Sequence, residues 1–192
     1  MLIKGCYFDT GDDCIAIKSG RNNDGRRLKT PSENIVIQGC TFKDGHGGVT
    51  IGSEVSGGTR NVFAEDCEME SPVLYSALRI KSNAVRGGTI ENINMRNIKV
   101  GLVDKAVVDV DLFYEEGKNG SFLPTIRNIS IEHMMVDSCK VALNLVGYKE
   151  APLQDIRLTD CDFKKAGKGY KIEHVEGLEI VNTKINGKEL KP

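Results

Sequence analysis

Asn34-Ile35-Val36-Ile37-Gln38-Gly39-Cys40-Thr41-Phe42 decides the fold. Its apolar residues alternate with polar ones, the period of a half-buried strand. The phrase recurs along the chain. Leu2-Ile3-Lys4-Gly5-Cys6-Tyr7-Phe8 precedes it, and Asn61-Val62-Phe63-Ala64-Glu65-Asp66-Cys67 and Asp155-Ile156-Arg157-Leu158-Thr159-Asp160-Cys161-Asp162-Phe163 follow. Asn92-Ile93-Asn94-Met95-Arg96-Asn97-Ile98 and Asn128-Ile129-Ser130-Ile131-Glu132-His133-Met134 repeat it without the cysteine, and Gly177-Leu178-Glu179-Ile180-Val181-Asn182-Thr183 is a weaker last copy. The phrases end at positions 6, 40, 67, 98, 134, 161 and 183, in steps of 34, 27, 31, 36, 27 and 22 residues. Steps of that size mark a solenoid.

Most repeats carry a second alternating run: Cys14-Ile15-Ala16-Ile17-Lys18, Gly48-Val49-Thr50-Ile51, Ala77-Leu78-Arg79-Ile80-Lys81, Val107-Val108-Asp109-Val110-Asp111-Leu112 and Val141-Ala142-Leu143-Asn144-Leu145. No long segment keeps a 3.6-residue apolar period, so helix is minor. Short strands at irregular spacing, with no Leu-x-x-Leu-x-Leu phrase, point to an all-β right-handed parallel β-helix of about seven coils. A single β-helix domain over residues 1–192 is expected. In such a helix equivalent residues stack about 4.8 Å apart. The six cysteines then read as a buried ladder of small apolar side chains rather than as disulfides. No pair has the spacing of a zinc knuckle.

Composition narrows the function. Lys plus Arg number 26 and Asp plus Glu 27, a net charge of −1, which argues against binding nucleic acid through bulk positive charge. No run approaches 18 apolar residues, so no membrane partner is expected. The opening residues resemble the middle of a strand and carry no signal peptide. The polar stretch Thr183-Lys184-Ile185-Asn186-Gly187-Lys188-Glu189-Leu190 reads as a finished C-terminal end. The start reads as the inside of a repeat, as though N-terminal coils were missing. That leaves a monomer, or self-association through an open N-terminal strand edge.

Stacking brings distant residues into one patch. Asp9-Thr10-Gly11-Asp12-Asp13 lies between the first two strands of coil one, and Lys43-Asp44-Gly45-His46-Gly47-Gly48 holds the same place in coil two. Asp12 and His46 share an offset of six residues from their phrase ends. Arg79 and Lys81, two apart on a strand, point to the same face. Alone, an Asp pair is an ordinary solvated turn, and Arg79 with Lys81 an ordinary strand face. Asp109 and Asp111 are read as surface charge, and His133 and His174 as edge residues. In register, Asp12, Asp13, His46, Arg79 and Lys81 converge on one surface and form a candidate cleft.

Thr10-Gly11-Asp12-Asp13, Gly45-His46-Gly47 and Arg79-Ile80-Lys81 resemble, in order and spacing, three of the four signature motifs of glycoside hydrolase family 28, the polygalacturonase family. The text around them looks most like the bacterial, often exo-acting branch, and the chain looks like a C-terminal part. The fourth signature, Asn-Thr-Asp, is expected upstream and does not occur here. The resemblance implies a right-handed β-helix that hydrolyses α-1,4-galacturonide bonds in pectin with inversion and without a cofactor or metal. It implies Asp12 as general acid, its pKa raised by the neighbouring carboxylate. Asp13 would be one of two carboxylates that hold the water, the other being the Asp of the upstream signature, and His46 would tune Asp12. Arg79 and Lys81 would bind the galacturonate carboxylate. Lys18 is expected to stack near Lys81, with Arg21, Arg26 and Arg27 extending a positive patch. Tyr114, at the end of the coil-four strand, is a further substrate-binding candidate.

The implied partner is an acidic, galacturonate-containing polysaccharide or oligosaccharide. The implied location is periplasmic or extracellular. Two other functions compete. A polysaccharide lyase would want a calcium cluster of several carboxylates. A non-catalytic pectin-binding module or degenerate β-helix fragment would need only the binding half of the cleft.

Overall fold

The computed structural model describes residues 1–191. They wind into a right-handed parallel β-helix whose strands join one continuous sheet. Leu2 pairs with Val36, Ile35 with Val62, Val62 with Ile93, Ile93 with Ile129, Ile129 with Ile156 and Leu158 with Ile180. These pairings reproduce every step read from the repeated phrase. The single α-helix among the described residues, Asn22–Leu28, is a one-coil excursion that ends on Lys29 in the left-handed region. At the last coil Lys184–Ile185 and Lys188–Glu189 form an antiparallel hairpin, with Ile185 and Leu190 buried.

Side-chain alternation sorts each strand into a core face and an outer face. Ile15, Val49, Leu78, Val108 and Leu143 stack inward in one column, and Ile17, Ile51, Ile80, Val110 and Leu145 in the next. Fully burying one such side chain contributes about 1.5–3 kcal/mol. Phe8 and Phe42 stack 5.0 Å apart at 14° and open a further column through Met69, Val100, Val136, Phe163 and Ile185.

All six cysteines are free, and Cys40, Cys67, Cys139 and Cys161 are buried. Cys40, Cys67 and Cys161 occupy the column of phrase ends, where Ile98 and Met134 take the same place in the intervening coils. Cys6 departs from the ladder. It lies on the first coil, with a neighbouring coil on one side only, and is exposed.

The leading Asn of each phrase has its own role. Asn34, Asn61, Asn92 and Asn128 all adopt left-handed φ angles of 56–57°. Asn tolerates that region better than most residues. Their side-chain amides donate from coil to coil, Asn61 to Asn34 at 3.0 Å, Asn92 to Asn61 at 3.0 Å and Asn128 to Asn92 at 3.1 Å. This ladder repeats the same bend in four successive coils and so keeps their outer columns aligned.

The outer column that matters for function runs Ala16, Thr50, Arg79, Asp109, Asn144, Lys171. Beside it, Gly52, Lys81, Asp111, Val146 and Glu173 are in register. Both columns lie on the outer side of the coils, beside the turns that carry Asp12, Asp13 and His46, and Thr50, Gly52, Lys81 and Val146 among them are buried there.

Candidate active site

Asp12 and Asp13 sit in the turn before the strand Ile15–Ile17. The Thr10 hydroxyl donates to the Asp12 carbonyl at 2.7 Å and tightens that turn. The two carboxylates then diverge. The Asp12 side chain is 82% exposed and the Asp13 side chain 6%.

Asp13 Oδ2 accepts from Lys81 Nζ at 2.8 Å, and its Oδ1 accepts from the Thr50 hydroxyl at 3.1 Å. Arg79 Nη1 stands 4.0 Å from the same Oδ1. Two cations and a hydroxyl thus surround one nearly buried carboxylate, which offsets the cost of removing it from water.

Asp12 Oδ1 accepts from the backbone N–H of Asp13 at 2.8 Å and lies 2.9 Å from His46 Nδ1. Their common offset in the sequence therefore corresponds to direct contact. The pKa of Asp12 is lowered, first by the Asp13 N–H; burial opposes this, and the His46 hydrogen bond and the charges of His46 and Lys81 add to the lowering. This corrects the expectation that a neighbouring carboxylate raises it. The largest influence on Asp12 is the backbone N–H of Asp13, not the Asp13 carboxylate, which bonds instead to Lys81 and Thr50.

His46 is held by a ring. It stacks on Tyr75 with centroids 4.6 Å apart at 13°. Lys105 Nζ lies 3.5 Å from the Tyr75 centroid. The glycines flanking His46 have a packing cause. A Cβ on Gly45 would come within 2.7 Å of Cys14 Sγ and 2.9 Å of the Asp12 carbonyl oxygen, and one on Gly47 would overlap the Thr50 hydroxyl.

Arg79 and Lys81 share the outer face of the strand Leu78–Lys81, as their spacing requires. Arg79 Nη1 donates to the His46 carbonyl at 3.4 Å, and its Nε lies 3.7 Å from Asp109 Oδ2. Asp109 is therefore not surface charge. It sits beside Arg79 in register, accepts from Asn144 Nδ2 at 2.7 Å, and burial raises its pKa. Asp111 turns instead to cap the chain, accepting from the Phe113 N–H at 2.8 Å.

Tyr114 joins the cluster, its ring centre 5.4 Å from Lys81 Nζ and 5.8 Å from the Arg79 guanidinium. Its loop is clasped from behind. Asn83 Nδ2 donates to the Tyr114 carbonyl at 2.9 Å and to Glu116 Oε2 at 2.8 Å. Arg86, 1% exposed, reaches Glu115, Glu116 and Asn22 at 3.0–3.3 Å.

Lys18 is only at the rim. It pairs with Glu54 at 2.8 Å, and Gly52 takes the register position beside Lys81. The expected arginine patch also divides. Arg26 turns inward, donating to the carbonyls of Val85 and Arg86 and lying 3.6 Å from the Phe122 centroid, while Arg21 and Arg27 stay exposed. Two further participants were not singled out from the sequence. Thr50 is findable by aligning the second runs, which puts it in the column of Arg79. Tyr75 precedes its strand in a turn of irregular length and gives no such signal.

Among the described residues no group of His, Cys, Asp and Glu side chains is spaced to hold a metal ion. The polar groups available for chemistry are an exposed carboxylate on a histidine, a buried carboxylate on two cations, and an aromatic ring above them.

The sequence matches the model of glycosyl hydrolases family 28 over residues 1–188. It is 30% identical over 190 residues to a probable polygalacturonase of Vitis vinifera, covering 92% of this chain and 37% of that protein. It is 34% identical over 154 residues to a polygalacturonase of Ralstonia solanacearum, covering 74% of this chain and 26% of that one. A crystal structure of a hyperthermoactive exopolygalacturonase from Thermotoga maritima superposes with a TM-score of 0.92 at 36% identity, covering 99% of this chain and 42% of that one. The chain thus spans between about a quarter and two fifths of the length of these relatives. With the family model matched over nearly all of its coils, the chain belongs to glycosyl hydrolases family 28.

Proposed function

We propose that this chain carries the acid side and the carboxylate-binding side of a site that hydrolyses α-1,4-galacturonide bonds in pectin, with inversion. The observation that carries the reading is the division of labour between Asp12 and Asp13. One is exposed and bonded to an imidazole, and the other is buried on Lys81 and Thr50.

Inverting hydrolysis needs a proton for the leaving oxygen and a carboxylate that activates water on the opposite face of the sugar. Asp12 reaches solvent and gives the proton, and His46 orients its carboxyl group through Nδ1. Asp13, held by Lys81 and Thr50, shares in holding the attacking water. Arg79 presents its guanidinium fork to a uronate carboxylate, and Tyr114 covers the sugar. A polymeric substrate does not enter a cell, so the proposal includes a periplasmic or extracellular setting.

The test is the configuration of the first product. Proton NMR of a galacturonate oligomer mixed with the chain is expected to show the β-anomer before mutarotation. Initial release of the α-anomer contradicts an inverting site. An unsaturated, UV-absorbing product would mean elimination instead of hydrolysis.

A further inference from the structure

Four residues on four successive coils form a column of contacts that ends on Asp12. The His46 N–H donates to the Asp12 carbonyl at 2.9 Å, the Tyr75 N–H to the Gly45 carbonyl at 3.1 Å and the Lys105 N–H to the Tyr75 carbonyl at 2.9 Å. These backbone bonds set the side chains one above the next. His46 Nδ1 lies 2.9 Å from Asp12 Oδ1, the His46 ring stacks on Tyr75, and Lys105 Nζ stands over the Tyr75 ring.

His46 needs such support. Gly45 and Gly47 flank it, so its own turn offers the ring no neighbouring side chain. The last torsion of a histidine side chain is broad and roughly two-fold, so an unrestrained ring can turn Nδ1 away from Asp12. Stacking on Tyr75 fixes the plane of the ring, and the bond to Asp12 selects which edge faces the carboxylate. Tyr75 is itself pinned. It is half-buried, and an ammonium over an aromatic face is held there by attraction to the ring. Lys105 has no carboxylate within 4.0 Å among the described residues, and the neighbouring Asp104 pairs with Lys140 instead. No ion pair therefore draws the Lys105 ammonium off the ring.

We propose that Tyr75 and Lys105 are positioning residues that hold the His46 ring toward Asp12 and so set the pH at which Asp12 carries its proton. The kinetic consequence rests on the proposed function, whereas the coupling to Asp12 does not. Other charged groups face the pair. Asp13 and Lys81 lie beside Asp12, with Lys18 at the rim. Arg79 donates to the His46 carbonyl and stands 6.0 Å from the Tyr75 centroid, and Asp44 accepts from the Ser71 hydroxyl. None of them stacks on the imidazole. A hydrogen bond to an ionised carboxylate favours that form, so a loosened His46 lets Asp12 hold its proton to higher pH.

The test compares Tyr75→Leu, Tyr75→Phe and Lys105→Gln in the whole chain. Carbon NMR follows the Asp12 carboxyl through a pH titration without substrate, and kcat/KM on polygalacturonate is measured over the same range. Tyr75→Leu is expected to move the Asp12 titration to higher pH and the descending limb of kcat/KM with it. It should lower kcat about two- to tenfold with little change in KM. Tyr75→Phe keeps the stack and should behave as the parent does. Lys105→Gln, at an exposed position, should shift both readouts in the same direction by less. Adding either Tyr75→Leu or Lys105→Gln to His46→Ala should move Asp12 no further than His46→Ala alone, the mark of action through the imidazole.

An Asp12 titration that ignores Tyr75→Leu in a chain of unchanged melting temperature overturns the proposal. So does a further shift when Tyr75→Leu is added to His46→Ala. Should Tyr75→Leu not fold, an unmoved titration in Lys105→Gln overturns it instead. If the titration responds as expected while the folded parent releases no reducing ends, the positioning stands and the proposed function falls. If the parent hydrolyses polygalacturonate and Asp12 ignores Tyr75, the function stands and the positioning falls.

Discussion

Lys81 Nζ lies 2.8 Å from Asp13 Oδ2 although the two residues are 68 positions apart and on different coils. Both side chains are nearly buried, at 10% and 6% exposure. The pair ties the acidic turn of coil one to the basic strand of coil three. It also determines what happens when either member is removed, since a partner left buried without its counter-charge costs about 3–5 kcal/mol. Lys81→Met is therefore expected to destabilise the chain by about 3 kcal/mol in urea unfolding. Asp13→Asn should cost a comparable amount, because it leaves the nearly buried Lys81 without its counter-charge, whereas Lys81→Met leaves Asp13 with Arg79 at 4.0 Å. The double variant should cost clearly less than the sum of the singles, the signature of direct coupling. Additive losses would mean that the contact contributes nothing.

Asp12 has its pKa lowered by hydrogen bonds that only the fold provides. Its folded value lies below the ordinary aspartate value of about 3.9. Its contribution to stability is therefore complete above that value and is lost as pH falls through the folded value. As the acid, Asp12 acts only while protonated, so kcat/KM should fall as pH rises from the acid range. His46→Ala removes one of the two hydrogen bonds but leaves the Asp13 N–H in place. The carboxyl pKa read by carbon NMR should move up part of the way, and the descending limb of kcat/KM should move up with it while the maximum falls. An unmoved limb would detach His46 from Asp12.

The cysteine column predicts a labelling order. Cys67 and Cys139 are pushed up to about 11 by burial, and Cys40 and Cys161 are buried with them. Reactivity follows the thiolate and its access. With Ellman's reagent the native chain should show Cys6 reacting quickly, Cys14 more slowly, and the remaining four only in denaturant. Rapid reaction of more than two thiols in the native state would contradict the ladder.

Arg86 acts on the site through the loop it clasps. Arg86→Met removes its bonds to Glu115, Glu116 and Asn22 behind Tyr114. The expected result is a KM raised several-fold with a smaller change in kcat, alongside lower stability. Arg86→Lys should recover part of the stability but little of the KM, because one ammonium cannot span three partners. Equal recovery of both would give Arg86 a purely structural role.

Much of this was legible in the sequence because a β-helix converts spacing into contact. The steps between repeated phrases are the register of the strands, and the column of Cys40, Cys67 and Cys161 was readable as a buried ladder. The convergence of Asp12, His46, Arg79 and Lys81 followed from offsets within coils. Other features depended on what the phrases do not encode. The leading asparagines marked the repeat, but their left-handed backbone and amide ladder follow from three-dimensional stacking. Asp109 read as surface charge because alternation puts it outside. Only the neighbouring rungs, Arg79 below and Asn144 above, bury it. The direction of the Asp12 shift is not legible in the sequence, because its dominant cause is one backbone N–H, which no side-chain pattern reports.

The most direct measurement is release of reducing ends from polygalacturonate by this chain, beside Asp12→Asn of matched secondary structure and melting temperature. Asp12→Asn removes the proposed proton donor and leaves the proposed Arg79–Lys81–Tyr114 binding side in place. Steady release by the parent chain, reduced by at least about a hundredfold in Asp12→Asn, is the predicted result. Equal release by both proteins, or binding of the polymer with no release from the folded parent, would contradict a hydrolytic site centred on Asp12.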